Sequence, residues 1–311
     1  IATAGAFVNG KGYANKKNAA GTYTFKGTMA TGPDVTITIP QYSHATYHWT
    51  LVGNPYPSFL PFNSSNKSVL KDNENILDPN YVGLYIWNRV TGEYEVVNYT
   101  QSQDSGGSLP DIPGGNFNDA QELGHDIIPG QAFMVKFNTN NPTFIFSKNL
   151  QKPQSKAAVS FSRSKPLQTI TVKLNNGDKI AKTKLKFLSN ASKGLDVGYD
   201  AGTFINNNTQ NFSINTHLVS DSNGVDFTLQ CLPDSDYENY KIPLSVFANE
   251  NETISFSSEA TNLPEGINVY LEDTLKNTLK NITDESYTVT LEFKTESVGR
   301  FYLQTSSSSL S

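Results

Sequence analysis

Apolar and polar residues alternate with a period of two along most of this chain, and that rhythm predicts β-strands. It is plain in residues 22–29 (TYTFKGTM), 34–40 (DVTITIP), 168–174 (QTITVKL) and 225–232 (VDFTLQCL). Each stretch lays one row of side chains on either face of a sheet, so each is expected to bury one face. Between QTITVKL and the alternating KTKLKFL stands Asn175-Asn176-Gly177, whose Asn-Gly pair is expected to supply the positive φ angles of a tight hairpin turn. Thr91-Gly92 divides LYIWN from YEVVNY in a similar way. Only residues 271–282 (LEDTLKNTLKNI) space their apolar positions like a helix, and their Thr and Asn content argues for strand, loop and turn instead. The expected class is all-β with very little helix.

Composition sharpens this picture. Eighteen Phe and fifteen Tyr stand against two Met, and aromatic residues favour pleated sheets while Asn and Gly favour the turns between them. A length of 311 residues suits two domains. The polar seam at 147–160 (SKNLQKPQSKAAVS) places their boundary, giving β-sandwich or barrel-like domains at 1–152 and 153–305. A Ser-rich tail at 306–311 reads as a linker. In the first domain, NGKGYANKK…TYTFKGTM and IPGQAFMVKF…PTFIFSKNL align as an internal repeat. Gly10 then matches Gly130, Tyr13 matches Phe133, and Tyr23/Phe25 match Phe144/Phe146. The copies are expected to form neighbouring hairpins.

A net charge of −5 supplies no basic field for a phosphate backbone, which argues against nucleic acid. No apolar run reaches the length of a membrane-crossing helix, and the first residues lack signal-peptide regions, so an internal or processed piece is expected. The lone Cys231 excludes an internal disulfide.

The residue types that do chemistry are scattered. Residues 5–12 (GAFVNGKG) mimic a phosphate loop, but Gly12 stands where the hydroxyl belongs. His44 and His48 lack the glutamate of a zinc motif, and His125 and His217 stand isolated. Asp104, Asp111, Asp119, Glu122 and Asp126 fall in or beside a Gly-rich loop at 101–126 and read as solvated acids; that loop is the expected contact site. Asp196, Asp200, Asp234 and Asp236 are hard oxygen donors in turns, so calcium is the one cofactor they would admit; turn formation explains them as well. No catalytic residue and no enzyme activity is expected.

The sequence 48–58 (HWTLVGNPYPS) poses a sharper question. Pro55 and Pro57 force Asn54 and Tyr56 toward extended geometry, so a strand ending at Gly53 must leave its sheet. Tyr56 is then either a lid packed over the sheet end, the expected role, or an exposed recognition ring. WTLVGNPYPS, followed by VGLYIWN, YEVVNYT, IIPGQAFMVKF and FIFSKNL, resembles a module found near the C-terminal ends of large Bacteroidetes surface proteins exported by type IX secretion. Ala132 replaces the usual Gly of that pattern. Segments such as GLDVGYDAG, YKIPLSVFA and GRFYLQT resemble, more loosely, the sandwich that precedes the sorting domain of such proteins. The resemblance implies export, display at the extracellular or outer-membrane surface, and partnership with other domains of the same protein. Two functions compete: a structural or adhesive display segment, and a carbohydrate-binding module that would use Trp49, Tyr56, Trp87, Tyr94 and Tyr99 against a polysaccharide. The first is preferred.

Overall fold

The computed structural model describes residues 7–14, 30, 32–39, 48–88, 93–100, 126–138, 142–153, 167–204, 211–235, 237–238 and 240–307. Among the described residues, strands make up 49% and helix 7%, as the alternation predicts. The chain divides into two compact units, residues 1–165 and 166–311. Lys152, inside the expected seam, still bridges to Phe59 in the first unit.

In the first unit the strands are β1 (Val35–Thr38), β2 (Trp49–Gly53), β3 (Leu60–Pro61), β4 (Leu84–Asn88), β5 (Glu93–Val97), β6 (Asp126–Ile127), β7 (Ala132–Lys136) and β8 (Thr143–Phe146). Four of them form an antiparallel sheet in the order β2-β7-β4-β5, while β1 pairs β8 and β3 pairs β6. One face of the sheet buries Val52, Phe133, Val135, Leu84 and Ile86. Phe133 lies 6.4 Å from Phe144 and 6.3 Å from Phe146 on β8, so aromatic rings join the sheet to the β1–β8 ribbon. One short helix, α1 (Val69–Asn73), is capped by Ser68, whose hydroxyl accepts from the Lys71 amide at 3.1 Å.

The internal repeat has a structural counterpart with a different arrangement. Gly10 and Gly130 both adopt positive φ, +82° and +74°. After the first, Lys11 bridges Val52 on β2; after the second, β7 pairs the other side of β2. The two copies therefore flank β2 rather than lie beside each other at this point. Tyr23 and Phe25 fall outside the described residues.

The second unit contains β9 (Gln168–Asn175), β10 (Ile180–Leu188), β11 (Ala201–Gly202), β12 (Ser213–Thr216), β13 (Phe227–Pro233), β14 (Lys241–Ala248), β15 (Thr253–Thr261), β16 (Asn268–Asp273), β17 (Thr278–Asn281), β18 (Tyr287–Thr290) and β19 (Thr295–Ser306). They form one sheet in the order β17-β16-β19-β14-β12-β13-β10-β9-β15-β18, with β11 on β13. Its inward rows, among them Ile170, Val172, Leu185, Phe187, Ile242, Leu244, Phe256 and Phe301, share one core. The pairing is antiparallel except for β10 with β13. The edges of this nearly closed sheet are joined by side chains: Tyr287 on β18 donates to Asp273 on β16 at 3.0 Å, and Lys280 on β17 pairs with Glu285 just before β18.

Residues 271–282 are the hairpin β16–β17, so its helical spacing was coincidental. Asn176-Gly177 departs from expectation. Only Gly177 has positive φ, +95°, because the connection spans residues 176–179; Asn176 contributes through its side chain, whose oxygen accepts from the Lys179 amide at 2.7 Å. The β4–β5 hairpin pairs Asn88 with Glu93, and Thr91-Gly92 lie outside the described residues. The tail also differs: β19 runs through Ser306, which is buried, so the first residue assigned to the linker belongs to the sheet.

Candidate functional site

The stretch 53–58 is organised by Asn54 and Tyr56. Asn54 is buried where β2 leaves its sheet, and its Nδ2 donates to the carbonyls of Ser58 at 2.8 Å and of Ile127 and Ile128 at 3.2 Å. Its Oδ1 accepts from the Tyr56 amide at 2.9 Å, closing a turn that Pro55 holds rigid. Tyr56 is 2% exposed; its hydroxyl donates toward the Phe146 carbonyl at 2.7 Å and accepts from the Val35 amide at 3.2 Å. Burial pushes that phenol up from its ordinary pKa. The ring is a lid, and no face of it is open to a ligand.

The other proposed ligand residues do not converge either. Tyr99 is buried and donates to Glu74 at 2.6 Å. Trp49 is half-buried, edge-on to Tyr85 at 4.7 Å and to Tyr81 at 5.6 Å. Tyr85 and Trp87 share a strand face, yet Tyr85 is buried beneath Trp49, so that pair does not turn outward together. Trp87, 46% exposed, is the open ring of the set. It sits directly opposite half-buried Tyr94 across β4–β5, with ring centres 5.2 Å apart and planes at 66°. That tilt prevents the two rings from forming one coplanar stacking platform.

Two of the proposed calcium donors, Asp196 and Asp200, are engaged with backbone. Asp200 is fully buried; its carboxylate accepts from the Asp196 amide at 2.7 Å and the Cys231 amide at 2.6 Å. Burial raises its pKa to about 7 against the lowering effect of those two donors. Asp196 in turn accepts from the Ser192 amide at 2.7 Å. Asp234 occupies a turn after β13, and Asp236 lies outside the described residues. Among the described residues, no three His, Cys, Asp or Glu side chains group as metal ligands. Burial, and after it the neighbouring Asp200 carboxylate, pushes the Cys231 thiol well above its usual range. Of the loop acids, Asp126 pairs with Lys152 at 2.7 Å; residues 101–125, with His125, fall outside the described residues.

One grouping escaped the sequence. His217 contacts the Asp226 carboxylate through Nε2 at 2.8 Å, and the Ser222 hydroxyl lies 3.5 Å from its Nδ1. These are the residue types of a nucleophilic triad, brought together by a loop of nine positions with no motif to mark it. The hydroxyl contact is too long for an activated nucleophile. The ring's own backbone amide binds Pro243 on β14 at 3.0 Å, so the group ties the 218–226 loop to the sheet.

A family model described as "Domain of unknown function (DUF8693)" covers residues 1–304. No curated protein and no solved structure matches the chain.

Proposed function

The chain belongs to this domain family of unknown function, and from its residues we propose that it is a non-catalytic structural and adhesive display segment of a large secreted or surface-exposed bacterial protein. The observation that carries the reading is the use made of Asn54 and Tyr56. The polar and aromatic groups best suited to meet a ligand are bonded to Ser58, Val35, Ile127 and Phe146 of their own fold. Asn73 does the same, holding Val69 and Ile145 at 2.8 to 2.9 Å. Side chains so engaged serve to hold sheets and loops in one arrangement. The likeness of WTLVGNPYPS, VGLYIWN and IIPGQAF to type IX-exported modules supports placement at the extracellular or outer-membrane surface, among other domains of the same protein.

The test is surface display in the parent organism. An epitope inserted in the exposed turn 264–266 should be labelled on intact cells, and labelling only after lysis contradicts the proposal. A carbohydrate-binding module is the second reading, favoured by the exposure of Trp87 beside Tyr94.

A further inference from the structure

The second unit has two unlike poles. The chain enters at Gln168 and its last strand ends at Ser306, and Tyr237 ties both regions together by bonding Gln168 and Thr305. The opposite pole carries the turns 176–179, 249–252 and 274–277 and the loop 291–294. These are stitched to one another: the Asn251 amide donates to Leu291 at 2.8 Å, Asn176 bonds Glu252, and Lys276 pairs with Glu292. Of the five exposed large apolar residues described in this unit, Ile180, Leu275, Phe293 and Val298 lie at this pole and Val197 does not. Leu275 is 57%, Phe293 68% and Val298 39% exposed.

Beneath these apolar tips lies the unit's most elaborate buried charge. Asp273 is 1% exposed and receives Arg300 through two bonds, of 3.0 and 2.8 Å. The same carboxylate accepts from the Leu275 amide at 3.1 Å and the Lys276 amide at 3.3 Å, which fixes the turn carrying Leu275. Between the pairs Val246↔Ser297 and Leu244↔Phe301, β19 uses four steps against two on β14, so Val298 rides a bulge. Thr274 clamps that bulge by binding the Gly299 and Arg300 carbonyls at 3.2 and 3.0 Å. A buried ion pair contributes little net stability compared with a packed apolar pair, and its attested use is to fix one conformation. Here it holds exposed hydrophobic residues in place, which is how a binding surface lowers its ordering cost.

We infer that this pole is a homotypic contact surface, where a second copy of the chain packs its own Leu275, Phe293 and Val298 against these residues. The rim argues for that occupant. Lys276–Glu292 and Lys294–Glu296 place both signs around the apolar tip, a rim on which a two-fold axis can set Lys of one copy against Glu of the other. A rim of paired charges on an acidic chain supplies no excess of cations for anionic lipid. Chain entry and exit lie at the other pole, away from this surface. Three apolar side chains make a small interface, so each contact is weak, and many copies on one surface would act together. The inference rests on the display reading and names its contact.

Sedimentation velocity of the full chain over a concentration series tests it. The expected result is reversible dimerisation that Phe293→Ser weakens about tenfold or more, with the unfolding midpoint unchanged because the ring is exposed. Leu275→Ser is the second variant. Lys276→Glu should weaken the dimer, and adding Glu292→Lys should restore it. A chain that stays monomeric, a dimer indifferent to Phe293→Ser, or vesicle binding that Phe293→Ser abolishes in place of dimerisation would each overturn the inference. A monomeric result leaves surface display standing, whereas an epitope hidden on intact cells defeats display whatever the sedimentation shows.

Discussion

A single buried amide ties the exit of β2 to residues 127–128 in the first unit. Asn54, itself buried, bonds three carbonyls and one amide. Asn54→Leu should therefore lower the stability of this unit by roughly 2–4 kcal/mol, since each abandoned buried carbonyl carries a desolvation penalty. Tyr56→Phe, which keeps the ring, should cost about 1 kcal/mol, and Tyr56→Ala about 2–4 kcal/mol. Denaturant titration measures all three; equal losses for Phe and Ala would mean that ring packing contributes nothing. The prolines on either side of Tyr56 made its role as a lid legible, because they fix where the backbone points. Asn54 was not legible, because its bonds reach Ile127 and Ile128, more than seventy positions away. The same holds for Asp200: DVGYD looks like a surface turn in sequence, and only the packing of β11 and β13 buries it.

Elements in the second unit titrate in opposite directions, which sets the pH dependence of its stability. Burial raises the folded pKa of Asp200 to about 7 from its ordinary 3.8. The folded state then holds the proton more tightly than the unfolded chain, so this contribution is complete below the unfolded pKa and is lost as pH rises through about 7. At Asp273 burial alone would raise the pKa, but the hydrogen bonds from Arg300 and Tyr287 outweigh it and the pKa is lowered. That contribution is present above the unfolded carboxylate pKa and is lost as pH falls through the folded one. From these two groups, stability of this unit should peak near the unfolded carboxylate pKa, about 4, and decline as the pH rises toward about 7. Calorimetry from pH 3 to 8 checks it, and Asp200→Asn should remove the decline on the alkaline side. Arg300→Met should cost about 3–5 kcal/mol by stranding the buried Asp273 carboxylate, whereas Lys276→Ala should leave the midpoint unchanged, its partner being exposed. Strand positions were legible wherever one face is buried, as in β9, where inward and outward residues alternate from Gln168 to Leu174. The parallel pairing of β10 with β13 was not, because side-chain alternation reports a face and never a neighbour.

At the scale of the whole chain, the aromatic residues that suggested a sugar-binding surface are divided between core and surface, and Trp87 is the one left open. Composition could count the rings but could not sort them, because β4 buries side chains on both of its faces at Tyr85 and opens only at Trp87. On the proposed reading, this chain displays and spaces other parts of a surface protein and does not read glycans. A glycan array probed with the purified chain beside its Trp87→Ala variant tests that claim most directly. No saturable binding by either protein is the predicted result. Saturable binding to a defined polysaccharide, abolished by Trp87→Ala in a variant with an unchanged unfolding midpoint, would contradict it.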